Sequence, residues 1–510
     1  MARRSFKVSR EGWTLGACLL AVGVVYEFLA SCGTLTRWPV YNIYFDLLAE
    51  GFRRGHLSIA ASPSSELLSK ANPYDSSYQN LWLFDVSLYR GKYYLYWGPV
   101  PAIVQALAKS ILRIHGLVGD QYLVFGFFFG AAVFGALILN RMARLLDVPR
   151  TLLALGILAF AFSNPAPYLV GNAGVYQAAV GAGQACLLGG VAIAFYAVWH
   201  AESGRTPRLR LMLAGVAWAL ALASRVSLAP AIALLMITTL VTTSFSGSRN
   251  WKRFVGDAVF LGLPVALGSL ALLLYNKARF DSWFEFGTGT QLTLYPFRFS
   301  AKYLATNAYS YLLKPYETSC RFPFVLEYWD VAAAGIPHSM KIPDGYLLRE
   351  PIVGLLRVVP CAWLLPIPVA LTFWRASIKV FGRGDSKQDG PDGCPFRVYA
   401  WCTVSFAIVG TATAVAQMGL YMATMRYLAD VTSGLVLLGI LGAWTLRAAL
   451  SDSGWMRRAA SGLCAALCMA TIVFGLLLGY QGYGMNFQVF NPDLHTKFVR
   501  ALSVCKAKGW

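Results

Sequence analysis

The sequence contains few charged residues and very few acids. Only 13% of its 510 residues are charged, and Asp and Glu together number 24, whereas 57% are hydrophobic. A soluble domain usually carries about 25% charged residues. The composition therefore excludes a disordered chain, disfavours an ordinary soluble enzyme and predicts an all-α polytopic membrane protein.

The short motifs of several enzyme classes are also missing. The five His residues have no paired spacing, and neither HExxH nor Cys-x-x-Cys occurs, so we expect no zinc site. Without a phosphate-binding Gly-rich loop or a G-x-S-x-G turn, ATP-driven transport and serine hydrolysis have no support. Two of the ten Cys residues, Cys320 and Cys505, fall in predicted exterior regions and could pair, although sequence cannot fix their connectivity.

What the sequence does have is an excess of basic residues, 44 Lys and Arg, for a net charge of +20. They gather in short segments between apolar runs, which is typical of cytoplasmic loops, so we expect no nucleic-acid partner. The basic segment before residue 13 is followed by an apolar run without a small-residue cleavage site. We interpret that run as an uncleaved first spanning helix with a cytoplasmic N-terminus.

Loop charge predicts about eleven crossings in a single membrane domain, 1–510. The predicted spans are 13–33, 121–142, 151–170, 177–199, 211–224, 227–243, 254–275, 352–376, 397–415, 430–447 and 459–480. If 98–116 also crossed, every later basic loop would face outward, so we predict a juxtamembrane or re-entrant helix there. The exterior pieces are then the first loop, 34–97, the second loop, 276–351, and the tail, 481–510.

The first exterior loop holds the candidate catalytic acids, Asp46 and Asp85. Asp46 and Glu50 are four residues apart and would share one face of an interfacial helix, so Glu50 is a candidate substrate-binding residue. An acid near the bilayer surface could act as general base for a hydroxyl group. The alternative is a solvated polar face on which Glu50 lies near Arg53 and Arg54.

Two short aromatic runs follow Asp85 and flank Arg90-Gly91-Lys92, which predicts a hairpin or tight turn. The rings of Tyr89 and Tyr93 suit sugars, and Lys92 could hold a phosphate. The alternative is an interfacial aromatic belt with basic side chains that reach towards water.

Three isolated arginines lie near the predicted exterior ends of helices: Arg225, Arg279 and Arg426, the last beside Tyr427. A charge at membrane depth is costly and is a functional candidate. If these side chains converge, they could neutralise a phosphate leaving group. A purely structural alternative pairs Arg426 with Asp430, four residues further along the same helix.

Several of these segments carry a resemblance. The stretches YFDLLAEGFRRGHLSI, FDVSLYRGKYYLYWGPVPA, YNKARFDSWFEFG and MRYLAD, together with the layout of loop and spans, resemble the GT-C class of integral membrane glycosyltransferases. Protein O-mannosyltransferases and lipid A aminoarabinose transferases share this plan, and the motifs look like those of a bacterial GT-C-like group. The FDVSLYRGKYYLYWGPVPA stretch is the most specific of them.

The resemblance implies an inverting transfer of a sugar from a polyprenyl-phosphate donor to a lipid, glycan or protein acceptor. The reaction would take place on the exterior face of a bacterial cytoplasmic membrane, with Asp46 at the position of the class's early acid. Because no second acid adjoins Asp46, the base assignment stays open between Asp46 and Asp85. Lys92, Arg225, Arg279 and Arg426 are the implied phosphate ligands, and a divalent cation, Mg²⁺ or Mn²⁺, could join them.

Three other functions remain open, one of which is a non-catalytic scaffold that would tolerate Asn at Asp46 and Asp85. A transporter or flippase of a lipid-linked glycan would place its polar residues near the bilayer midplane. Arg357 is the main charge well inside a predicted span, whereas most other notable polar residues lie towards the outer face, which favours the enzyme. A surface-polysaccharide polymerase or ligase would share the multi-span plan but use lipid-pyrophosphate donors.

Overall fold

The computed structural model describes residues 10–202, 208–244, 251–327, 335–348, 350–381, 396–450 and 454–505. Within these ranges the chain is all-α apart from two small hairpins. The first hairpin pairs β1 (Ser87–Tyr89) with β2 (Lys92–Tyr94), and the second pairs β3 (Glu317–Thr318) with β4 (Val325–Leu326). The helices are α1 (Arg10–Ala30), α2 (Tyr44–Arg53), α3 (Ser65–Leu68), α4 (Val100–Leu112), α5 (Gln121–Leu145), α6 (Arg150–Phe162), α7 (Ala166–Gly171), α8 (Val175–Glu202), α9 (Arg208–Ser224), α10 (Ala229–Ser244), α11 (Trp251–Phe280), α12 (Leu304–Leu312), α13 (Leu355–Val358), α14 (Pro366–Phe381), α15 (Phe396–Met418), α16 (Met425–Ala449), α17 (Gly454–Gln481), α18 (Asn486–Phe490) and α19 (Pro492–Leu502).

Eight segments in the described part of the chain are long and apolar enough to cross a bilayer, which confirms a polytopic all-α membrane protein. They are α1, α5, α8, α10 with the short turn before it, α11, α15, α16 and α17. The most deeply buried of them are α8 and α16, whose apolar windows are 89% and 94% buried inside the protein. These two helices form the centre of the bundle.

Two of the eleven predicted spans are broken, and a third is short for a membrane crossing. The predicted span 151–170 is divided into α6 and α7. Pro165 disfavours helical backbone at the residue before it, Asn164, and so interrupts the helix. The predicted span 352–376 is divided into α13, a 3₁₀ turn over Pro360–Leu364, and α14. The third, α9, is helical but has only 17 residues. The number of crossings therefore stays a prediction.

The segment predicted to be juxtamembrane is the helix α4. Its 13 residues extend about 20 Å, which is less than the thickness of a bilayer core. It ends at Arg113, in left-handed backbone with φ of 56°. Leu107, Ile111 and Leu112 are exposed along one side, and α2 packs against the helix near Lys109.

The predicted exterior loops meet at one end of the bundle, which we call the loop end. The first loop pairs with the second where Leu292 donates its N–H to Val86. The second loop reaches the turn between α15 and α16, where Ser300 donates its N–H to Gly419. The site is therefore assembled from parts of the chain that are far apart in sequence.

Close packing of α15 against α16 depends on two glycines. A Cβ on Gly434 would lie 2.4 Å from the Gly410 nitrogen and 2.5 Å from the Phe406 oxygen. Small residues allow membrane helices to approach closely. This contact brings Gln417, at the end of α15, beside Asp430 in the first part of α16.

The C-terminal segment is fastened to the second loop by a disulfide between Cys320 and Cys505, which confirms the pairing considered from the sequence. The bond joins residues 185 positions apart. Next to it, Val504 donates its N–H to the Cys320 carbonyl, and Phe322 donates to the Ser503 hydroxyl. The strand β4 begins three residues after Phe322, so the tail braces the second hairpin.

We predict that a Cys320→Ser, Cys505→Ser double variant unfolds at a lower temperature than the parent protein. Loss of the cross-link frees the unfolded chain and typically costs about 2–4 kcal/mol. Thermal unfolding of the purified protein in detergent measures the shift. Treatment of the parent with a reductant should lower its Tm towards that of the variant. Equal Tm values for oxidised parent and variant would contradict this role.

Candidate functional site

Asp85 lies at the loop end, two residues before the start of β1. Its N–H donates to the Leu292 carbonyl at 3.0 Å, and its backbone has a positive φ of 62°. The next residue, Val86, accepts the returning bond from Leu292 at 2.8 Å. Two loops thus fix the position of this carboxylate.

The Asp85 carboxylate accepts hydrogen bonds from two side chains. The Tyr176 hydroxyl donates to Oδ2, and Gln291 Nε2 donates to Oδ1 at 3.0 Å. Burial raises the pKa of Asp85 to about 6, although nearby Arg426 and the bond from Gln291 act to lower it, and Glu350 acts to raise it. A carboxyl group with a pKa in this range can take up and release a proton near neutrality.

Arg426 lies next to Asp85, in the first turn of α16. The helix is capped by Thr424, whose hydroxyl accepts from the Arg426 N–H. The guanidinium donates through Nη2 to Glu350 Oε1 at 2.7 Å and lies 3.9 Å from the centroid of the Tyr176 ring. The same tyrosine therefore contacts both the carboxylate and the guanidinium.

A second guanidinium, that of Arg225, pairs with Asp430, which lies one helical turn after Arg426 on α16. Its Nε donates to Asp430 Oδ2 at 2.6 Å, and Asp430 is fully buried. Gln184 and Gln417 donate to the same carboxylate at 3.2 and 2.7 Å. Among the described residues, the Arg225 Nη atoms have no hydrogen-bond partner. Asp430 therefore orients Arg225 and leaves its outer nitrogens for a ligand.

Tyr427 links the two arginines. It follows Arg426 in the chain, and its ring centroid lies 5.6 Å from the Arg225 guanidinium. Burial is the main cause that raises the pKa of Tyr96, the nearby Asp85 carboxylate adds to this effect, and Arg426 opposes it. The structure thus brings together four of the predicted residues: Asp85, Arg225, Arg426 and Tyr427.

The other candidate acid, Asp46, has a different environment. Its side chain is fully buried on α2, where Lys109 Nζ lies 2.7 Å from Oδ1 and Gln105 donates to the same oxygen at 2.9 Å. Lys109 is itself only 2% exposed. This closed pair fastens α2 to α4, which favours a structural role for Asp46.

Asp120 completes the packing around α2. Its carboxylate accepts from the Phe45 N–H at 3.1 Å, at the N-terminus of that helix. Burial raises the pKa of Asp120 to about 8 despite the hydrogen bonds from the α2 backbone. The N-cap residue of α2, Ile43, makes no capping hydrogen bond with its side chain, so Asp120 caps the N-terminus of this helix instead.

Five predicted substrate-binding residues have other contacts. In the described chain none of them makes a hydrogen bond or ion pair to Asp85, Arg225 or Arg426. Glu50 pairs with Arg53 and Arg54 at 3.1 Å, and the Tyr89 hydroxyl donates to Asp281. Lys92 is exposed on the first hairpin, whereas Tyr93 is buried in the core. Arg279 is 3% exposed and donates to the Leu95 carbonyl.

Arg279 differs most from expectation. Its guanidinium lies 3.8 Å from the Tyr275 ring and donates to Asn276 at 2.8 Å. Instead of facing a ligand, it holds the chain before α4 against the end of α11. The expected convergence of three arginines therefore comes down to Arg225 and Arg426.

Sequence reasoning missed several residues of the site. Tyr176, Gln291 and Glu350 were not singled out, and Asp430 was considered only as a partner for Arg426, whereas it pairs with Arg225. Tyr176 is 91 positions from Asp85, and Glu350 is 76 positions from Arg426. No local pattern marks such contacts, because they depend on how the loops meet.

The site's donors do not fit a divalent cation. Both Asp85 oxygens accept from side chains, and the Glu350 carboxylate is engaged by Arg426. Across the described ranges, no group of three or more His, Cys, Asp or Glu residues is placed to hold a metal ion. The guanidiniums are the positive charges that the site offers to a ligand.

No family model matches the chain, and no curated protein matches it. Among solved structures, the chain is similar to the oligosaccharyltransferase of Archaeoglobus fulgidus in its apo form, with a TM-score of 0.48 and 12% identity. It is also similar to the oligosaccharyltransferase AglB from that organism in complex with an inhibitory peptide and a dolichol-phosphate, with a TM-score of 0.47 and 12% identity. Each alignment covers 92% of this chain and 56% of the other.

Proposed function

We propose that the chain is a membrane glycosyltransferase. It moves a sugar from a polyprenyl-phosphate donor to a hydroxyl of a lipid, glycan or protein acceptor, on the exterior face of a bacterial cytoplasmic membrane. The observation that carries the proposal is that Tyr176 contacts both Asp85 and Arg426, while Arg225 pairs with Asp430, one helical turn after Arg426. A base and two cations are what this reaction requires.

Asp85 supplies the base. It accepts the proton of the acceptor hydroxyl as that oxygen forms a bond to the anomeric carbon of the sugar. The bond from this carbon to the phosphate oxygen breaks in the same step, so the configuration inverts. Tyr176 and Gln291 hold the carboxylate in place and stabilise its charged form.

Arg225 and Arg426 stabilise the departing lipid phosphate. Negative charge increases on this group as the bond breaks, and fixed guanidiniums interact with it strongly in a partly buried site. Each arginine is oriented beforehand by a carboxylate, Asp430 or Glu350. Both therefore meet the phosphate without losing much side-chain entropy.

Aromatic rings lie where the sugar would bind. Tyr96 and Tyr427 are partly exposed beside Asp85 and Arg426. Such faces can cover the apolar side of a sugar ring while the polar groups bind its hydroxyls.

The test is an assay of the purified protein with donors that carry separate labels on the lipid and the sugar. Polyprenyl monophosphate sugars and polyprenyl pyrophosphate sugars are supplied in parallel with membrane lipids as acceptors. We expect the sugar label to move to the acceptor and free polyprenyl monophosphate to appear in equal amount. Transfer from pyrophosphate donors alone would favour a polymerase or ligase. In proteoliposomes, movement of the donor with both labels still joined would favour a flippase.

We predict that activity falls in acid and that Tyr176→Phe shifts this fall to higher pH. Asp85 must be charged to act as base, so kcat/KM should rise with pH through about 6. The Tyr176 hydroxyl donates to the charged carboxylate and favours it, hence its removal raises the pKa of Asp85. Besides its hydrogen bonds with Tyr176 and Gln291, Asp85 interacts electrostatically with Arg426, Glu350, Tyr44, Tyr96 and Tyr421. The phenyl ring keeps the contact with Arg426, so a uniform loss without a shift would contradict the assignment.

A further inference from the structure

A basic cavity lies at the end of the bundle opposite to Asp85. It has a volume of about 280 Å³ and lies between the last turns of α5 and α8, where Arg141, Arg144 and Tyr196 line it. Tyr176 and Tyr196 are both on α8, and a rise of 1.5 Å per residue places them about 30 Å apart. The cavity therefore lies about the thickness of a membrane core away from the proposed catalytic site.

The guanidinium of Arg141 is fixed by one side chain. Its Nε donates to the Tyr196 hydroxyl at 3.0 Å, and its carbon lies 5.1 Å from the centroid of the same ring. Within the described ranges, the Nη atoms of Arg141 have no hydrogen-bond partner. A planar fork of donors is thus held ready at the cavity, and its geometry suits a phosphate.

The side chains of Arg141 and Arg144 are the permanent charges among the described residues that line the cavity, and both are positive. Arg141, Arg144 and His200 line it, and no acidic side chain does so among the described residues. His200 uses Nδ1 to contact the Tyr196 carbonyl at 2.8 Å, which leaves Nε2 on the outer edge of the ring. The cavity should therefore attract an anion.

The rest of the lining is apolar. Leu145 and Phe195 form part of the wall, and Trp199 is 37% exposed at its edge. Tryptophan is common at the boundary between lipid chains and headgroups. An occupant with a phosphate and attached hydrocarbon chains satisfies both halves of this lining, whereas free phosphate satisfies only the guanidiniums.

We propose that this cavity binds the headgroup of an anionic phospholipid. The lipid phosphate is held by Arg141, with Arg144 and His200 beside it, and the glycerol region lies at Trp199. Basic pockets between helices on the cytoplasmic side of membrane proteins bind such headgroups. The site is distinct from the donor site and does not depend on the proposed glycosyl transfer.

Native mass spectrometry of the full-length protein tests this site, with phosphatidylglycerol and phosphatidylcholine as probes. We expect the parent to retain phosphatidylglycerol selectively and Arg141→Gln to weaken this binding about tenfold or more, the scale of a lost charge-assisted contact. Arg150→Gln removes an exposed charge of the neighbouring helix and is the matched control. It should bind like the parent, and equal losses in both variants would overturn the proposal.

Two further arms keep the test decisive. Tyr196→Phe leaves Arg141 in place but removes the acceptor of its Nε, so it should weaken binding even if Arg141→Gln does not fold. Unchanged binding in Tyr196→Phe would contradict the role of the fixed guanidinium. Millimolar inorganic phosphate should fail to displace the lipid, since it lacks the chains. Full displacement by phosphate would show a phosphate site and overturn the lipid assignment.

Discussion

Asp85→Asn should lower kcat by a hundredfold or more while the protein remains folded. The amide keeps the size of the carboxylate and one of its acceptors, but it cannot remove a proton from the acceptor hydroxyl. General base catalysis contributes about 10²–10⁴-fold, so the loss should fall in that range. The measurement is the initial rate of polyprenyl phosphate release at saturating donor and acceptor.

Asp281→Asn is the matched control for this variant. Asp281 is also an aspartate at the loop end, but it is half exposed and pairs with Arg90 at 3.0 Å. Exposed pairs of this kind contribute little, so its variant should keep nearly the parental rate. If Asp85→Asn retained full activity in an assay that detects transfer, Asp85 would not be the base.

Asp46→Asn should have its main effect on stability. The substitution leaves the Lys109 ammonium buried without its counter-charge, and breaking a buried pair in this way costs about 3–5 kcal/mol. We expect less folded protein and an unfolding transition at lower denaturant concentration. The specific activity of the folded fraction should stay close to that of the parent, because the Asp46 side chain is fully buried and pairs with Lys109.

A double-mutant cycle separates the pair from the catalytic site. Lys109→Met alone should also destabilise the protein, because it strands the carboxylate. Asp46→Leu alone should destabilise it too, because it strands the Lys109 ammonium. The double variant Asp46→Leu, Lys109→Met buries no charge, so it should be more stable than either of these two single variants. An Asp46→Asn protein that is as stable as the parent but inactive would assign catalysis to Asp46 instead.

Much of the fold could be predicted from composition and hydrophobic runs. Long apolar segments such as α5, α8 and α16 lie where the sequence predicts them. The breaks after α6 and around Pro360 were missed, since an apolar run gives its length but not the backbone path that prolines impose. Contacts between loops were likewise beyond reach, and the disulfide was foreseen only as one possibility.

The site was predictable in part, and for a physical reason. In the sequence, the charged residues Asp85, Arg225 and Arg426 stand among apolar or aromatic residues. Placing a charge in such surroundings costs free energy, so each of them is a candidate for a functional or structural role. Asp46 also stands among apolar residues, but its carboxylate forms a structural ion pair with Lys109, which lies 63 positions away. Residue type and local context mark both kinds of charge alike, and only the tertiary partners distinguish them.

If Asp85 acts as a base in a direct displacement at the anomeric carbon, the configuration of the transferred sugar inverts. NMR of the product measures its anomeric configuration, with a donor of known configuration taken from the labelled panel. We expect inversion, together with release of one polyprenyl monophosphate for each sugar transferred. Retention of configuration would require a second displacement through a covalent intermediate, and would contradict the role assigned to Asp85.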